Sequence, residues 1–400
     1  MQVLFTTRGS SGHVGPLAPF AHACLRAGHE VVVTAQRQFE ANVTRAGLPF
    51  SPVDEPSRDD WMPLMAQFAE LDVDTANRVM ISEFFARLDL RAELPALRAI
   101  IESRRPDVIV RESWEFGSTL VAELYGIPIV RIGLGLAEME ELSVKLAAPE
   151  VDKAGVDLGL PSDPGGERLT AGPFLTTMPQ ELEDPAASVP ARTARFRFAV
   201  GESGGQLPDW WPGNEDPLVY LTFGSVAAGA HLPYFPALYR SAIEALAPLP
   251  VRVLVTVGDA DREIKELGAV PPNVHVETWV PHDDAARQAD VIVCHGGFGS
   301  TLGTLAHGTP LVVLPLFSSD QWANGEAVVR TGAGITIADD RSARQVLDLP
   351  AAETIRKLAG AVSSVLGDDA HRREADRIAD AMRALPPVYE SVQLLEGIST

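Results

Sequence analysis

The chain has 400 residues, a formal net charge of −21 at pH 7 and a hydrophobic content of 46%. This length predicts two domains, and this composition is typical of a globular protein with a substantial core. The negative charge argues against nucleic acids and anionic membranes as partners, and no apolar run reaches the ~18 residues of a membrane span.

The first residues of the chain and its two cysteines indicate the cellular compartment of the protein. The first residues read as a strand without the basic region of a signal peptide, and the two cysteines, Cys24 and Cys294, lie in apolar elements. We therefore expect a cytoplasmic protein with two buried thiols and no disulfide framework.

The first half opens with a strand–helix–strand unit. We predict strands at residues 3–6 and 30–34 and a helix at 16–27, joined by a glycine-containing loop. The loop has G-x-x-G spacing, and no acidic residue follows the second strand, so a nicotinamide site is disfavoured. His13 lies at the tip of this loop, near the expected inter-domain cleft. The alternative is a histidine that caps the helix.

Apolar and aromatic residues are concentrated in the next segment. We predict helices at residues 61–71 and 78–101 and strands at 107–110, 127–132 and 174–178. Glu112 follows the first of these strands, on the same sheet edge as His13. The candidates for lining a ligand pocket are Trp61, Met65, Phe84, Trp114 and Phe116, although such side chains more often belong to a core.

Glycine, proline and two tryptophans mark residues 199–216 as a domain linker. The second half restarts with a strand that ends at Gly224 and Ser225. A later strand precedes Asp259 and Asp261, and such a D-x-D pair can bind a metal ion and through it a diphosphate. This reading is weaker, because residues 289–324 already predict an anion site.

In that stretch, a strand runs into the sequence HGGFGST at residues 295–301, and a helix follows to residue 307. Glycines allow close approach of an anion, and free N–H groups, the helix dipole and the side chains of His295, Ser300 and Thr301 supply donors. We predict a phosphate or diphosphate here. The alternative is a glycine-rich turn without a ligand.

The next strand ends in a polar turn that contains Asp320 and Gln321, on the same edge of the sheet. A carboxylate beside an amide suits a polyol, because aspartate accepts hydrogen bonds from hydroxyls and glutamine both accepts and donates.

These motifs resemble the donor-binding motif of family 1 glycosyltransferases: HGGFGSTL at residues 295–302, GTP at 308–310 and DQWAN at 320–324. The resemblance extends over nearly the whole chain and is nearest to actinomycete enzymes that decorate antibiotic aglycones. It implies an α/β protein of the GT-B fold, with two Rossmann-like domains facing across a cleft. The implied divisions are an acceptor domain at 1–198, the linker at 199–216, a donor domain at 217–375, and a C-terminal helix at 376–400 that crosses back to the first domain.

The resemblance also implies roles for individual residues. His13 would be the general base, and Glu112 would orient it, although the family usually has aspartate there. The alternative for Glu112 is a solvated carboxylate at the rim, in which case Glu115 would orient the base. Trp279 would stack on the nucleobase, with core packing as the alternative, and His282 replaces the usual glutamine. The implied donor contacts are Ser225, Trp279, Val280, His295, Gly297, Gly299, Ser300, Thr301, Asp320 and Gln321. The pocket candidates named above become the implied acceptor contacts.

Plant relatives carry a glutamate that holds the ribose hydroxyls eight residues after the loop histidine, where this chain has Gly303. A 2′-deoxyribose lacks one hydroxyl, so we expect a thymidine diphosphate (TDP) sugar rather than a uridine diphosphate (UDP) sugar. The implied reaction is inverting transfer of a deoxysugar to a hydrophobic, polyketide-like aglycone. We expect no metal and no cofactor beyond the nucleotide sugar.

The expected partners are therefore two small molecules, the nucleotide sugar and the aglycone, and a homodimer is left open. Three alternative functions remain. They are a UDP-sugar-dependent transferase, a nucleotide-sugar epimerase on the same fold, and a non-catalytic nucleotide-sugar-binding protein. An epimerase would need further acids in the cleft and no apolar acceptor pocket.

Overall fold

The computed structural model of the protein describes residues 1–201, 205–224, 234–258 and 267–398. Two parallel β-sheets follow one another along the chain, as the alternation of apolar strands and helices predicts. None of the helices in these residues combines the length and the apolar composition that a membrane span requires.

The first sheet has seven strands in the order β3-β2-β1-β4-β5-β6-β7. They are β1 (Gln2–Thr6), β2 (Glu30–Gln36), β3 (Phe50–Val53), β4 (Val108–Glu112), β5 (Ile129–Ile132), β6 (Phe174–Thr176) and β7 (Thr193–Arg195). The helices of this half are α1 (Ser11–Arg26), α2 (Glu40–Arg45), α3 (Arg58–Phe68), α4 (Val73–Val79), a π-helical segment (Met80–Asp89), α5 (Leu90–Arg104), α6 (Gly117–Tyr125) and α7 (Ala137–Asp157).

Among the described residues of the second half, six parallel strands have the order β10-β9-β8-β11-β12-β13. They are β8 (Leu218–Thr222), β9 (Arg252–Thr256), β10 (Val274–Glu277), β11 (Val291–Cys294), β12 (Leu311–Val313) and β13 (Gly334–Thr336). The helices are α8 (Phe235–Leu246), α9 (His282–Gln288), α10 (Phe298–Leu305), α11 (Ser319–Thr331), α12 (Ala352–Gly367), α13 (Asp369–Ala384) and α14 (Ser391–Ile398).

Each sheet is covered by helices on both faces, which explains why its strands are almost continuously apolar. Helix α1 packs on one face of the first sheet, and α5, α6 and α7 pack on the other. Cys24 and Cys294 are both free and buried, as expected, and burial raises the pKa of each thiol to about 12.

The end of the chain returns to the first domain at Leu385–Pro387. Helix α13 packs against α10 of the second domain, and α14 packs against α1 of the first. At the crossing point, the Arg197 backbone N–H donates to the Pro386 carbonyl at 2.7 Å. The chain was predicted to cross to the first domain from residue 376. It crosses about ten residues later, because the apolar face of α13 packs on the second domain.

Several elements differ from the sequence-based prediction: the helix predicted at 61–71 is Arg58–Phe68, and the one predicted at 78–101 is divided among α4, the π-helical segment and α5. Helix α1 begins at Ser11, so His13 lies in its first turn and not in the preceding loop, and Pro16 is inside the helix. Strand β7 adds a seventh strand to the first sheet just before the linker. The polar turn after β12 is already helical from Ser319.

In both sheets the order of the strands reverses between two central neighbours, β1 and β4 in the first sheet and β8 and β11 in the second. Ligands of open parallel sheets bind in the crevice at this point, outside the carboxyl ends of the strands. His13 lies after β1, Glu112 is the last residue of β4, and Gly224 and His295 lie after β8 and β11.

Candidate active site

A cleft of about 480 Å³ separates the carboxyl ends of the two sheets. The first domain contributes residues 10–13, Trp114 and Leu134, and the second contributes the loops that follow β8, β9, β10, β11 and β12. The predicted site residues that line the cleft are His13, Trp114, Trp279, Val280, His295, Gly297, Gly299, Ser300, Asp320 and Gln321. Ser225, Asp259 and Asp261 lie outside the described residues.

His13 and Glu112 meet at this edge although 99 residues separate them in the chain. The Nδ1 atom of His13 lies 2.8 Å from Oε1 of Glu112. The buried Glu112 carboxylate also accepts the backbone N–H groups of Trp114 (2.6 Å) and Arg8 (3.2 Å). Burial alone would raise the pKa of Glu112, but His13 and these N–H groups outweigh it, and the net pKa lies below its ordinary value. The ionised carboxylate favours a proton on Nδ1 of His13 and leaves Nε2 as an acceptor.

Glu115, the alternative partner for His13, is buried and hydrogen-bonded to other interior residues. Its carboxylate accepts hydrogen bonds from the hydroxyls of Thr6 and Ser118. Burial, repulsion from Glu115 and a hydrogen bond with Glu115 raise the pKa of Glu93 well above its ordinary value, which favours the protonated form of Glu93 beside Glu115. The carboxylate that contacts His13 is therefore Glu112.

The His295 ring is enclosed by two glycines. A Cβ atom at Gly224 or Gly297 would lie 2.6 Å or 2.5 Å from a ring atom of His295, so a side chain at either position would displace the imidazole. Phe317 stacks on the ring, with centroids 6.3 Å apart. Burial lowers the pKa of His295 to about 4, so the ring is neutral at pH 7. Its buried Nδ1 has no hydrogen-bond partner among the described residues, which leaves a polar atom for a ligand.

Helix α10 begins at Phe298, directly after the glycine loop, so its free N–H groups lie at the cleft. Gly299 and Ser300 line the cleft. Thr301 does not, because the next residue of a helix is rotated by about 100°, and its side chain is buried. The contact of the Thr301 hydroxyl with the anion stays a prediction, since its buried Oγ1 has no hydrogen-bond partner among the described residues.

Gln321 lies in the first turn of α11 and holds the loop that precedes this helix. Its Oε1 accepts the backbone N–H groups of Leu316 (2.8 Å) and Phe317 (3.1 Å). Only the NH₂ group remains for a ligand, so the expectation that Gln321 both accepts and donates is corrected to donation alone.

Asp320 lies beside Gln321 and accepts a hydrogen bond from the Ser318 hydroxyl. Burial raises the pKa of Asp320, while the Ser318 hydrogen bond and the nearby His13 oppose this increase. Asp320 and His13 both line the cleft, one from each domain. Asn324 donates to the Gly296 carbonyl at 2.8 Å and so ties α11 to the glycine loop.

Trp279 forms one wall of the cleft with a side chain that is 69% exposed, which excludes core packing as its role. Val280 is buried behind it. His282 lies opposite Gly303, and a Cβ atom at Gly303 would be 2.9 Å from Cδ2 of His282. The imidazole therefore occupies the space that a side chain at position 303 would need. Burial lowers the pKa of His282, so this ring is neutral as well.

Aromatic rings form a row that leads away from His13 on the first-domain side. The centroid distances are 6.1 Å from His13 to Trp114, 6.0 Å from Trp114 to Phe85, and 6.0 Å from Phe85 to Phe84. Phe85 is the member of this row that the sequence-based set omits. Its position next to Phe84 in the sequence could have indicated it as a pocket residue. Its contact with Trp114 depends on the π-helical segment in which it lies.

Of the five predicted acceptor residues, Trp114 lines the cleft, and Phe84, Phe116, Trp61 and Met65 do not. Phe116 is 1% exposed and packs in the core formed by α5, α6 and α7, so its predicted contact with an acceptor is corrected. Trp61 and Met65 lie on α3, which has no fully buried residue and packs on the π-helical segment away from the cleft.

Three hydroxyl side chains of the second domain form a hydrogen-bonded row in the cleft, which was not predicted from the sequence. The Tyr220 hydroxyl lies 2.9 Å from Oγ1 of Thr256, which donates to Oγ1 of Thr222 at 3.0 Å. All three residues line the cleft. The sequence carried a signal, because Thr222 and Thr256 are the polar last residues of two otherwise apolar strands.

Two family models match the chain in succession. The model described as "Erythromycin biosynthesis protein CIII-like, N-terminal domain" matches residues 22–216, and its C-terminal counterpart matches residues 240–398. The chain belongs to this family of glycosyltransferases. It is a CIII-like glycosyltransferase of the kind that builds antibiotics and related natural products, and this leaves the epimerase and the non-catalytic alternatives without support.

Relatives of this CIII-like enzyme match it from end to end. The L-demethylnoviosyl transferase of Streptomyces niveus is 29% identical to this chain, and the aligned region covers 97% of this chain and 96% of the relative. The 4′-demethylrebeccamycin synthase of Lentzea aerocolonigenes is 28% identical over 99% of both chains. Among solved structures, the Streptomyces sp. SF2575 glycosyltransferase SsfS6, complexed with thymidine diphosphate, is 26% identical over 99% of both chains, with a TM-score of 0.74. These matches confirm the GT-B fold.

Proposed function

We propose that this glycosyltransferase moves a deoxysugar from a TDP-sugar to a hydrophobic natural-product aglycone, with inversion at the anomeric carbon. The observation that carries the proposal is the pairing of His13 with Glu112 on one wall of the cleft, opposite Asp320 and Gln321 on the other. A base on one domain and a leaving group held by the other suit a single displacement, which inverts the anomeric centre.

The glycine loop and the N-terminus of α10 would hold the diphosphate. Gly297, Gly299 and Ser300 line the cleft there, and the neutral His295 ring adds an N–H donor. Such fixed donors stabilise the negative charge that develops on the departing diphosphate, so the proposed mechanism needs no metal ion. The exposed face of Trp279 would stack on the nucleobase.

The sugar would lie against the first turn of α11. Asp320 can accept hydrogen bonds from sugar hydroxyls, and the NH₂ group of Gln321 can donate one. In this arrangement the anomeric carbon would face the first domain, where His13 lines the same cleft.

His13 would act as the general base. Its Nδ1–H donates to Glu112, and Nε2 takes the proton of the acceptor hydroxyl. As that oxygen bonds to the anomeric carbon, the bond from this carbon to the diphosphate breaks, and TDP leaves with the electron pair. The imidazolium that forms is stabilised by the Glu112 carboxylate. Trp114 and the rings behind it would contact an apolar acceptor.

TDP is the proposed nucleotide because His282 fills the space beside Gly303. The glutamate that binds ribose hydroxyls in plant relatives cannot be placed there without moving this ring. The thymidine diphosphate bound to SsfS6 supports the same choice by similarity. A UDP-sugar donor is the competing outcome.

The proposal is tested by thermal stabilisation with TDP and with UDP at equal concentrations in the presence of EDTA. A ligand at free concentration c that binds only the folded state stabilises it by RT ln(1 + c/Kd), so at equal concentrations the tighter ligand raises the melting temperature more. We expect a larger increase with TDP than with UDP. An equal increase would favour the UDP alternative, and an increase that requires added magnesium or manganese would contradict the metal-free donor site.

A further inference from the structure

The segment between α3 and the π-helical segment leaves the first domain and docks on the second. The Val73 backbone N–H donates to the Arg344 carbonyl at 3.1 Å, and the Val346 N–H donates to the Leu71 carbonyl at 3.0 Å. The side chains buried in this contact are Val73, Ala76, Trp322 and Val346. The docking brings helix α4 against the loop that precedes α11.

Asn77 makes the polar contact with that loop. Its Nδ2 donates to the Phe317 carbonyl at 3.0 Å, and its Oδ1 accepts the Ser319 backbone N–H at 3.1 Å. A further hydrogen bond from Nδ2 to the Val73 carbonyl, at 2.7 Å, fixes the orientation of the carboxamide. The amide therefore bridges two backbone groups on either side of Ser318, and both groups belong to the other domain.

The bridged loop carries groups that face the cleft on both sides of the bridge. Phe317 stacks on the His295 ring, and its backbone N–H is bound by Gln321. Ser319 is the first residue of α11, and Asp320 follows it directly. A shift of this loop would therefore move directly the carboxylate and the amide that we assign to the sugar, whereas Trp279 and the N-terminus of α10, which we assign to TDP, follow other strands.

We propose that Asn77 is a positioning residue for donor-sugar recognition, although it belongs to the acceptor domain and does not line the cleft. By fixing the backbone from Phe317 to Ser319, it holds Asp320 and Gln321 in the orientation that receives sugar hydroxyls. It thereby links the placement of the sugar to the docking of the two domains. This inference rests on the proposed function of the cleft.

The test compares the dissociation constants of TDP and TDP-glucose for the full-length protein and its Asn77→Ala variant. We expect TDP-glucose binding to weaken about tenfold relative to TDP binding, which corresponds to the loss of well-placed hydrogen bonds. Asn77→Asp has the same shape but cannot donate to the Phe317 carbonyl. It should behave like Asn77→Ala if hydrogen bonding is responsible, and like the wild type if packing alone is responsible.

The control variant is Asp74→Ala. It removes an ion pair with Arg341, 3.0 Å long, from the same domain contact without touching the bridged loop. We expect it to leave the ratio of the two dissociation constants unchanged. Unchanged ratios in both Asn77 variants, or an equal change in Asp74→Ala, would overturn the role of Asn77 while TDP binding by the wild type remained intact. A wild type that does not bind TDP would instead contradict the proposed function, and the inference with it.

Discussion

A Cβ atom on Gly303 would lie 2.9 Å from Cδ2 of His282, closer than such atoms approach one another in proteins. Gly303 is inside helix α10, where alanine is normally preferred by about 1 kcal/mol. The glycine is therefore required by the imidazole beside it and not by the backbone. This pairing shapes the part of the cleft where we place the nucleoside.

We predict that Gly303→Ala destabilises the protein by about 1–3 kcal/mol, because the added methyl group overpacks against His282. Denaturant unfolding measures the change. The double variant with His282→Ala should recover most of the loss, since the two residues are in contact. Gly360→Ala is the matched control. This glycine is in the interior of α12, and a methyl group added there would have no neighbouring atom within 4 Å, so alanine should stabilise the helix.

Trp279→Ala should weaken TDP binding about tenfold or more, because base–aromatic stacking contributes about 1–3 kcal/mol. The melting temperature of the protein without ligand should stay the same, since the indole is 69% exposed. Calorimetric titration with TDP gives the affinity. Tyr389→Ala removes another exposed aromatic side chain, 62% exposed and outside the cleft lining, and should not alter binding. Equal affinities in all three proteins would contradict the stacking role.

Glu112→Gln should reduce turnover by about 10²–10⁴-fold, because His13 loses the carboxylate that holds its tautomer and stabilises its charge. TDP binding should persist, as Glu112 is on the other domain from the donor loops. Glu112→Asp should retain part of the activity, since the carboxylate is kept at a greater distance. Turnover of Glu112→Gln at the wild-type rate would show that Glu112 does not orient the base.

The buried pair of Glu93 and Glu115 predicts a pH dependence of stability. The pKa of Glu93 is raised in the folded protein, chiefly by burial, so the folded state holds more protons than the unfolded state above the ordinary pKa of about 4.3. Stability should therefore decrease as the pH rises through the folded-state pKa. Glu93→Gln keeps an uncharged donor to Glu115 and an acceptor for the Gly117 N–H, which lies 3.0 Å from the Glu93 carboxyl group.

Melting temperatures at pH 5, 7 and 9 provide the measurement. Relative to the wild type, Glu93→Gln should gain stability as the pH increases. Glu353→Gln, on the exposed face of α12, should show a constant difference. Parallel curves for Glu93→Gln and the wild type would contradict the raised pKa.

Much of the architecture could be predicted because it depends on local patterns. Apolar runs such as Val291–Cys294 indicate buried parallel strands. The glycine loop could be placed beside the polar residues after β12, since neighbouring parallel strands end at the same edge. His13 and Glu112 could be placed on one edge of the first sheet for the same reason.

The remainder depends on contacts between distant residues. The oxygen of Gln321 is occupied by two backbone groups, Thr301 is turned away by one helical step, and Phe116 faces the core. Helix α1 starts before Pro16 although proline usually marks a first turn. The bridge from Asn77 to Phe317 joins residues 240 positions apart, and no local pattern indicates it.

The most direct test of the central claim is the release of TDP from a TDP-sugar in the presence of polyketide aglycones and EDTA, compared between the wild type and His13→Ala. We predict turnover of at least one aglycone by the wild type. In His13→Ala the rate should fall by about 10²–10⁴-fold, while the thermal shift with TDP is retained. Turnover by His13→Ala at the wild-type rate would contradict the assignment of His13 as the base.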